Sequence, residues 1–321
     1  MSNFQVYKKT LVFSFIMFGI GIASLILMLG LTTLGFVIGE ATGAGNGFVG
    51  LIIGFVLGII AMALINFFIT NRVKAAQISM MTIGVVEGKL PDNVLKEGFG
   101  QLKGRFGKIA AFFFITNAIK GIFRQIGRTF NRVGKAVGGQ VGDSVTSIID
   151  SAIQTLIGYL CDCCLGWVMY HKEEKMTKAA CEGAVIFFKH GKTLIRNIGR
   201  IFGMGALSFL VIGGAFFGIS YLIFIAIPGM FEALSQSLLT IFTDGEASDI
   251  LASSNVLALF AAGIIAIILW SMVHSVLGRP FILVGVLRNF MASGLKERPT
   301  EQDFASLDSK SPKFAKLHNS I

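Results

Sequence analysis

Basic residues are missing from two long stretches of this 321-residue chain: none lies between Lys9 and Arg72, and none between Arg200 and Arg279. The segment from Arg72 to Arg200 holds 19 of the 28. Charge of either sign is scarce, at 14% of residues, where a soluble domain carries about 25%. With 54% hydrophobic residues and a mean hydropathy of +0.74, the chain is excluded from the ordinary water-soluble class. Histidine is scarce as well, at four, and there is no nucleophile elbow, HExxH or phosphate loop, so nothing marks an enzyme. Four cysteines, three of them at Cys161, Cys163 and Cys164, do not make a disulfide framework in a chain of this length. Cys181 and His171 stand at no recognised metal-site spacing from that cluster, so no metal and no cofactor are expected. The cluster is read as structural or lipidated.

What is present is apolar length. Runs at about 11–39, 48–70, 201–227 and 256–277 each exceed the roughly 20 residues that cross a hydrocarbon core. The first is far longer than a signal-peptide core, so it reads as an uncleaved span. Each base-free stretch holds two runs joined by a connector whose charges are all acidic: Glu40 in one, and Glu232, Asp244, Glu246 and Asp249 in the other. The sequence thus predicts an all-α, polytopic membrane protein with four spans in two hairpins. Positive-inside bias puts both connectors outside and the N-terminus, middle and C-terminus in the cytoplasm of a plasma or bacterial inner membrane. The net charge of +10 gathers beside apolar runs, where anionic phospholipid headgroups account for it better than nucleic acid.

The middle has two readings. Segments 106–123 and 151–170 are apolar enough either to cross, giving six spans, or to dip into the membrane or pack against the bundle. Between them Lys120, Arg124, Arg128, Arg132 and Lys135 recur mostly at fours, while Ile119, Phe123, Ile126, Phe130, Val133 and Val137 recur at threes and fours. A helix over 119–137 with one basic and one apolar face belongs in an interface, against anionic headgroups. Placing it outside would break the charge rule followed elsewhere. A mixed apolar stretch also recurs after three apolar segments, at Val73 to Lys89, Met176 to Lys192 and Arg279 to Lys296. Residues 1–293 form one membrane domain on this reading, and 294–321 a polar, solvated, mobile cytoplasmic tail.

Small-residue spacing marks candidate packing faces at Gly50, Gly54 and Gly58 and at Gly214 and Gly218, within one bundle or between copies in a homo-oligomer. Polar groups at membrane depth are the better functional pointers, because each is costly unless paired or wetted. The substrate-pathway candidates are Asp162, Asn66, Tyr221, His274 and Trp270. Asp162 is either a cation site, if its segment inserts, or a surface acid. Trp167, Trp270 and Tyr221 are either interfacial anchors or parts of an aromatic cage.

Several stretches resemble the second half of choline transporter-like proteins, mainly over 60–300. They are Ile69 to Arg72, Ile78 to Glu87, Gly88-Lys89-Leu90-Pro91 and Phe112 to Thr116. Cys163-Cys164-Leu165-Gly166-Trp167 is similar to that family's paired cysteines followed by Leu and Trp, with an extra Gly here. Ala184 to Phe188, Ile195-Arg196-Asn197-Ile198 and Ser271 to Leu277 complete the resemblance. It implies a membrane transporter of choline or a related small organic cation or amine. The alternative is a non-transporting membrane scaffold or lipid-organising protein that works through the basic centre.

Overall fold

The computed structural model describes residues 1–43, 46–103, 116, 119–122, 143–227 and 254–320. All regular structure among these residues is helical. Helix α1 spans Asn3–Ala41 and opens on a capping box, in which Ser2 Oγ accepts from Gln5 N at 3.2 Å and Gln5 Oε1 accepts from Ser2 N at 2.9 Å. Helix α2 (Gly47–Ile65) passes through a π turn at Asn66–Thr70 directly into α3 (Asn71–Val86). Next come α4 (Val94–Gly100), α5 (Asp143–Tyr170) and α6 (Met176–Ser208). A second π turn, Phe209–Gly213, joins α6 to α7 (Gly214–Ala226). Helix α8 (Ser254–Val273) runs through a third, His274–Gly278, into α9 (Arg279–Lys296). Two short helices follow, α10 (Glu301–Lys310) and α11 (Pro312–His318).

Four helices are long and apolar enough to cross a membrane: Asn3–Ala41, Gly47–Val86, Gly205–Ala226 and Asn255–Lys296. Only 11–17% of the most apolar window of each is buried within protein, which leaves the rest of those surfaces for hydrocarbon. This is an integral membrane protein of helical class. The second and fourth helices do not stop where the apolar runs stop. Arg72 and Arg279 change the solvent, not the backbone, and nothing breaks α3 until Gly88, whose φ of +69° only glycine adopts easily. Pro280 is tolerated because the π turn just before it shifts the carbonyl register where its ring would crowd residue 276.

The chain divides into two compact units, Met1–Ile198 with Pro280–Ile321, and Gly199–Arg279. In the first unit, α1 and α2 pack through glycine. A Cβ added at Gly50 would overlap the carbonyl oxygen of Gly35, one at Gly54 that of Leu31, and one at Gly58 would lie 2.8 Å from Met28 Cγ. The non-spanning core of this unit is built from the three recurring stretches. Ile78, Met80 and Met81 of α3, Ala180, Cys181 and Ile186 of α6, and Val284, Leu287 and Phe290 of α9 are fully buried. Trp167 of α5 is also fully buried, against Gly294, where a Cβ would lie 2.6 Å from its ring.

One expectation is narrowed here and another changes. From Ile157 to Trp167, α5 is buried by protein at every position but the half-buried Gly158, with Cys163, Cys164 and Trp167 at 0% exposure, so over these residues the segment packs against protein rather than crossing the membrane. The tail from 294 is not a solvated, mobile extension among the described residues. It forms α10 and α11, whose Phe304, Leu307 and Phe314 are buried. Its polar composition hid three apolar anchors spaced for two helices, and Pro312 starts a helix at its first position, behind the Ser311 cap.

Candidate functional site in the second hairpin

In the second unit the polar side chains of two spans converge beside two π turns. Ser208, the last residue of α6, precedes the Phe209–Gly213 turn, and His274 begins the His274–Gly278 turn. Such turns widen the helix by one residue and are frequent at functional positions. Trp270 Nε1 donates to Ser208 Oγ at 3.2 Å, and Ser208 Oγ lies 3.3 Å from His274 Nδ1. The serine hydroxyl has one proton, and it goes to the Gly205 carbonyl at 2.8 Å. Both serine lone pairs are therefore acceptors, so His274 donates from Nδ1. A neutral ring then keeps a lone pair on Nε2.

Aromatic packing fixes the rings. Trp270 stacks on His274 with centroids 5.2 Å apart, and Phe209 meets Trp270 edge-on at 5.0 Å. Glycine makes room twice: a Cβ at Gly278 would lie 2.6 Å from His274 Nδ1, and one at Gly213 would lie 3.2 Å from the Phe209 ring. The cluster sits near the span ends that carry Arg200 and Arg279. Chemically it offers one unprotonated imidazole nitrogen beside apolar rings.

The structure brings together two of the five pathway candidates, Trp270 and His274, and adds Ser208. Nothing in the sequence singled out that serine, because an isolated Ser in an apolar run usually bonds its own helix. Tyr221 stacks on Phe217 at 6.1 Å, 13 residues beyond Ser208 in chain order and about 20 Å farther along the helix axis. Asn66 is exposed at the start of its own π turn in the other unit.

Asp162 also lies in that unit, 2.5 Å from Lys74 Nζ, with its side chain 4% exposed. The base on α3 neutralises it. Next to it Cys161, Cys163 and Cys164 are all buried, which fits the structural reading of the cluster. Burial, then the Asp162 charge, pushes the Cys163 thiol well up, and burial with neighbouring thiols does the same to Cys164. Trp167 Nε1 donates to Glu182 Oε2 at 3.0 Å, so it is a core tryptophan and no cage member. No group of three or more His, Cys, Asp or Glu could hold a metal among the described residues.

A Cβ at Gly214 or Gly218 meets nothing within 4 Å among the described residues. Lys120 is half-buried, whereas Arg124, Arg128, Arg132 and Lys135 lie outside the described residues. No protein-family model matches the chain, and no curated protein or solved structure is similar to it.

Proposed function

We propose that this protein is a membrane transporter-like protein that handles a small organic cation or amine, with the second hairpin as its working part. The observation that carries this reading is the Ser208–Trp270–His274 cluster set between two π turns. Polar groups at membrane depth are retained where they serve a pathway, and transporters interrupt helices at such places. The resemblance of Cys163-Cys164-Leu165-Gly166-Trp167 and Ser271 to Leu277 to choline transporter-like proteins agrees with a cationic substrate. The distribution of bases supports cytoplasmic N- and C-termini.

The test is uptake of labelled choline, ethanolamine and related amines into liposomes holding the purified protein. Ser208→Ala and His274→Ala should reduce uptake, and Asp162→Asn should not alter which solute is taken. Lack of uptake across that set sinks the transport reading.

One observation favours the rival. Asp162 is already paired, and within the second unit Tyr221 stands away from the cluster, which suits a membrane scaffold built around the packed core of the first unit. Charge reversal at Arg124, Arg128 and Arg132 would then disturb membrane organisation or partner recruitment while leaving no uptake to lose.

A further inference from the structure

Three buried side-chain atoms lack a hydrogen-bond partner among the described residues: Glu174 Oε2, His190 Nε2 and Asp308 Oδ1. All three fall on one seam, between residues 174–190 and the C-terminal helices. Along it, Arg298 Nη1 reaches Glu174 Oε1 at 3.2 Å, and Lys189 Nζ bridges Glu297 at 2.7 Å and Asp303 at 2.9 Å. Lys310 Nζ sits 4.3 Å above the Phe188 ring. Asp308 is near enough to Cys181 for its charge to add to burial in pushing that thiol up to about 12.

We propose that α10 and α11 form a releasable strap over α6, which undocks as one piece and uncovers Cys181 and Phe188. Helices of 10 and 7 residues are too short to persist alone in water, so losing the seam means losing the helices, and partial release is disfavoured. The two internal ties, Phe304 against Phe314 at 6.3 Å and His318 Nδ1 against Asp308 Oδ2 at 2.9 Å, make the pair a single element. Two of the ionic ties run through the residues just before α10 and are exposed, with Glu297 at 57% and Arg298 at 55%, so salt screens them, while Lys189–Asp303 is the ion pair that α10 itself carries. The orphaned polar atoms regain water on opening, which lowers the cost of release. Local opening of this kind belongs to the low-stability end of a structure. The inference stands apart from transport, since it concerns the first unit alone.

The experiment is maleimide labelling of the full chain in lipid nanodiscs, with each cysteine's modification followed by peptide mapping. Lys189→Gln should speed labelling of Cys181 about three- to ten-fold, the loss of the ion pairs to Glu297 and Asp303. Raising salt to about 1 M should move the wild type in the same direction. Cys161, Cys163 and Cys164 should stay slow, and amide exchange should rise in α10 and α11 together. Leu307→Asn, which removes an apolar anchor without touching an ion pair, should act the same way. Cys181 labelling unmoved by these variants and by salt would overturn the strap. So would four cysteines reacting in step, because that is global unfolding.

Discussion

Lys74 Nζ lies 2.5 Å from Asp162 Oδ1, so the one acid within 151–170 is matched by a base on α3. The carboxylate is 4% exposed and the ammonium 28%, which makes this a half-buried pair whose rupture strands a charge in the core. Asp162→Asn should therefore lower the stability of the purified protein by about 1–3 kcal/mol, less than the loss of a fully buried pair. Thermal melts of Asp162→Asn and of Lys74→Met with Asp162→Leu check this. The double variant should recover most of the loss, and a double variant worse than the single would refute the account.

The glycine faces of the two hairpins should respond oppositely. Gly54→Ala drives a methyl into the Leu31 carbonyl, a backbone atom that cannot step aside, and should cost about 1–3 kcal/mol. Gly214→Ala and Gly218→Ala meet nothing within 4 Å among the described residues and should be neutral or gain up to about 1 kcal/mol from helix propensity. Unfolding in detergent measures all three.

Ser208→Ala leaves the Trp270 indole N–H and the His274 Nδ1–H without their shared acceptor. Interhelical hydrogen bonds in membranes contribute about 0.6–1.7 kcal/mol, and the variant should lose that much. Trp167 and Trp270 are the only tryptophans, so in a Trp167→Phe background the emission reports Trp270 alone. It should shift when Ser208 is replaced, and an unchanged spectrum would count against the cluster.

The part of α10 docking that Glu297, Asp303 and Lys189 carry should depend on pH only at the extremes. Hydrogen bonding from Lys189 holds the Glu297 carboxyl below its usual range. Burial pushes Asp303 up, but hydrogen bonds from the Thr300 backbone and hydroxyl and from Lys189 outweigh it and leave its carboxyl lowered. Lowered carboxylates contribute stability that is present above their unfolded values near 4.5 and 3.8, and lost as pH falls through the folded ones. Lys189, raised chiefly by its hydrogen bonds to Glu297 and Asp303, contributes below its unfolded value of 10.5, and this is lost as pH rises through the folded one. In a His318→Gln background, which takes the Asp308 tie out of the titration, amide protection in α10 should hold level between those limits and fall outside them.

The four spans were legible because hydrocarbon demands about 20 apolar residues in a row and excludes bases. The helix ends were less legible. Arg72 and Arg279 mark a change of surroundings, yet 71–86 and 279–296 continue as helix into a protein core that tolerates Gln77, whose amide reaches Ser14 Oγ at 2.7 Å. The same core explains why 151–170 looked like a membrane segment: burial by protein and by lipid select the same side chains. His274 and Trp270 stood out as polar or amphipathic groups in apolar runs. Ser208 did not, and the π turns beside it leave no residue-type signature. The tail was misjudged because three buried aromatic and aliphatic anchors are too sparse to register against its charges.

The continuous rise from Gly47 to Val86 makes a rod of 40 residues, about 60 Å long, roughly twice the hydrocarbon thickness. One half is immersed and the other is gripped by neighbouring helices, so the bilayer and the core hold opposite ends of one lever. A change in tilt of about 10° within the membrane swings a point 30 Å away by about 5 Å, more than a side chain's width. Bilayer thickness and the seating of the core thereby act on one continuous helix, with the Asn66–Thr70 π turn between its two halves.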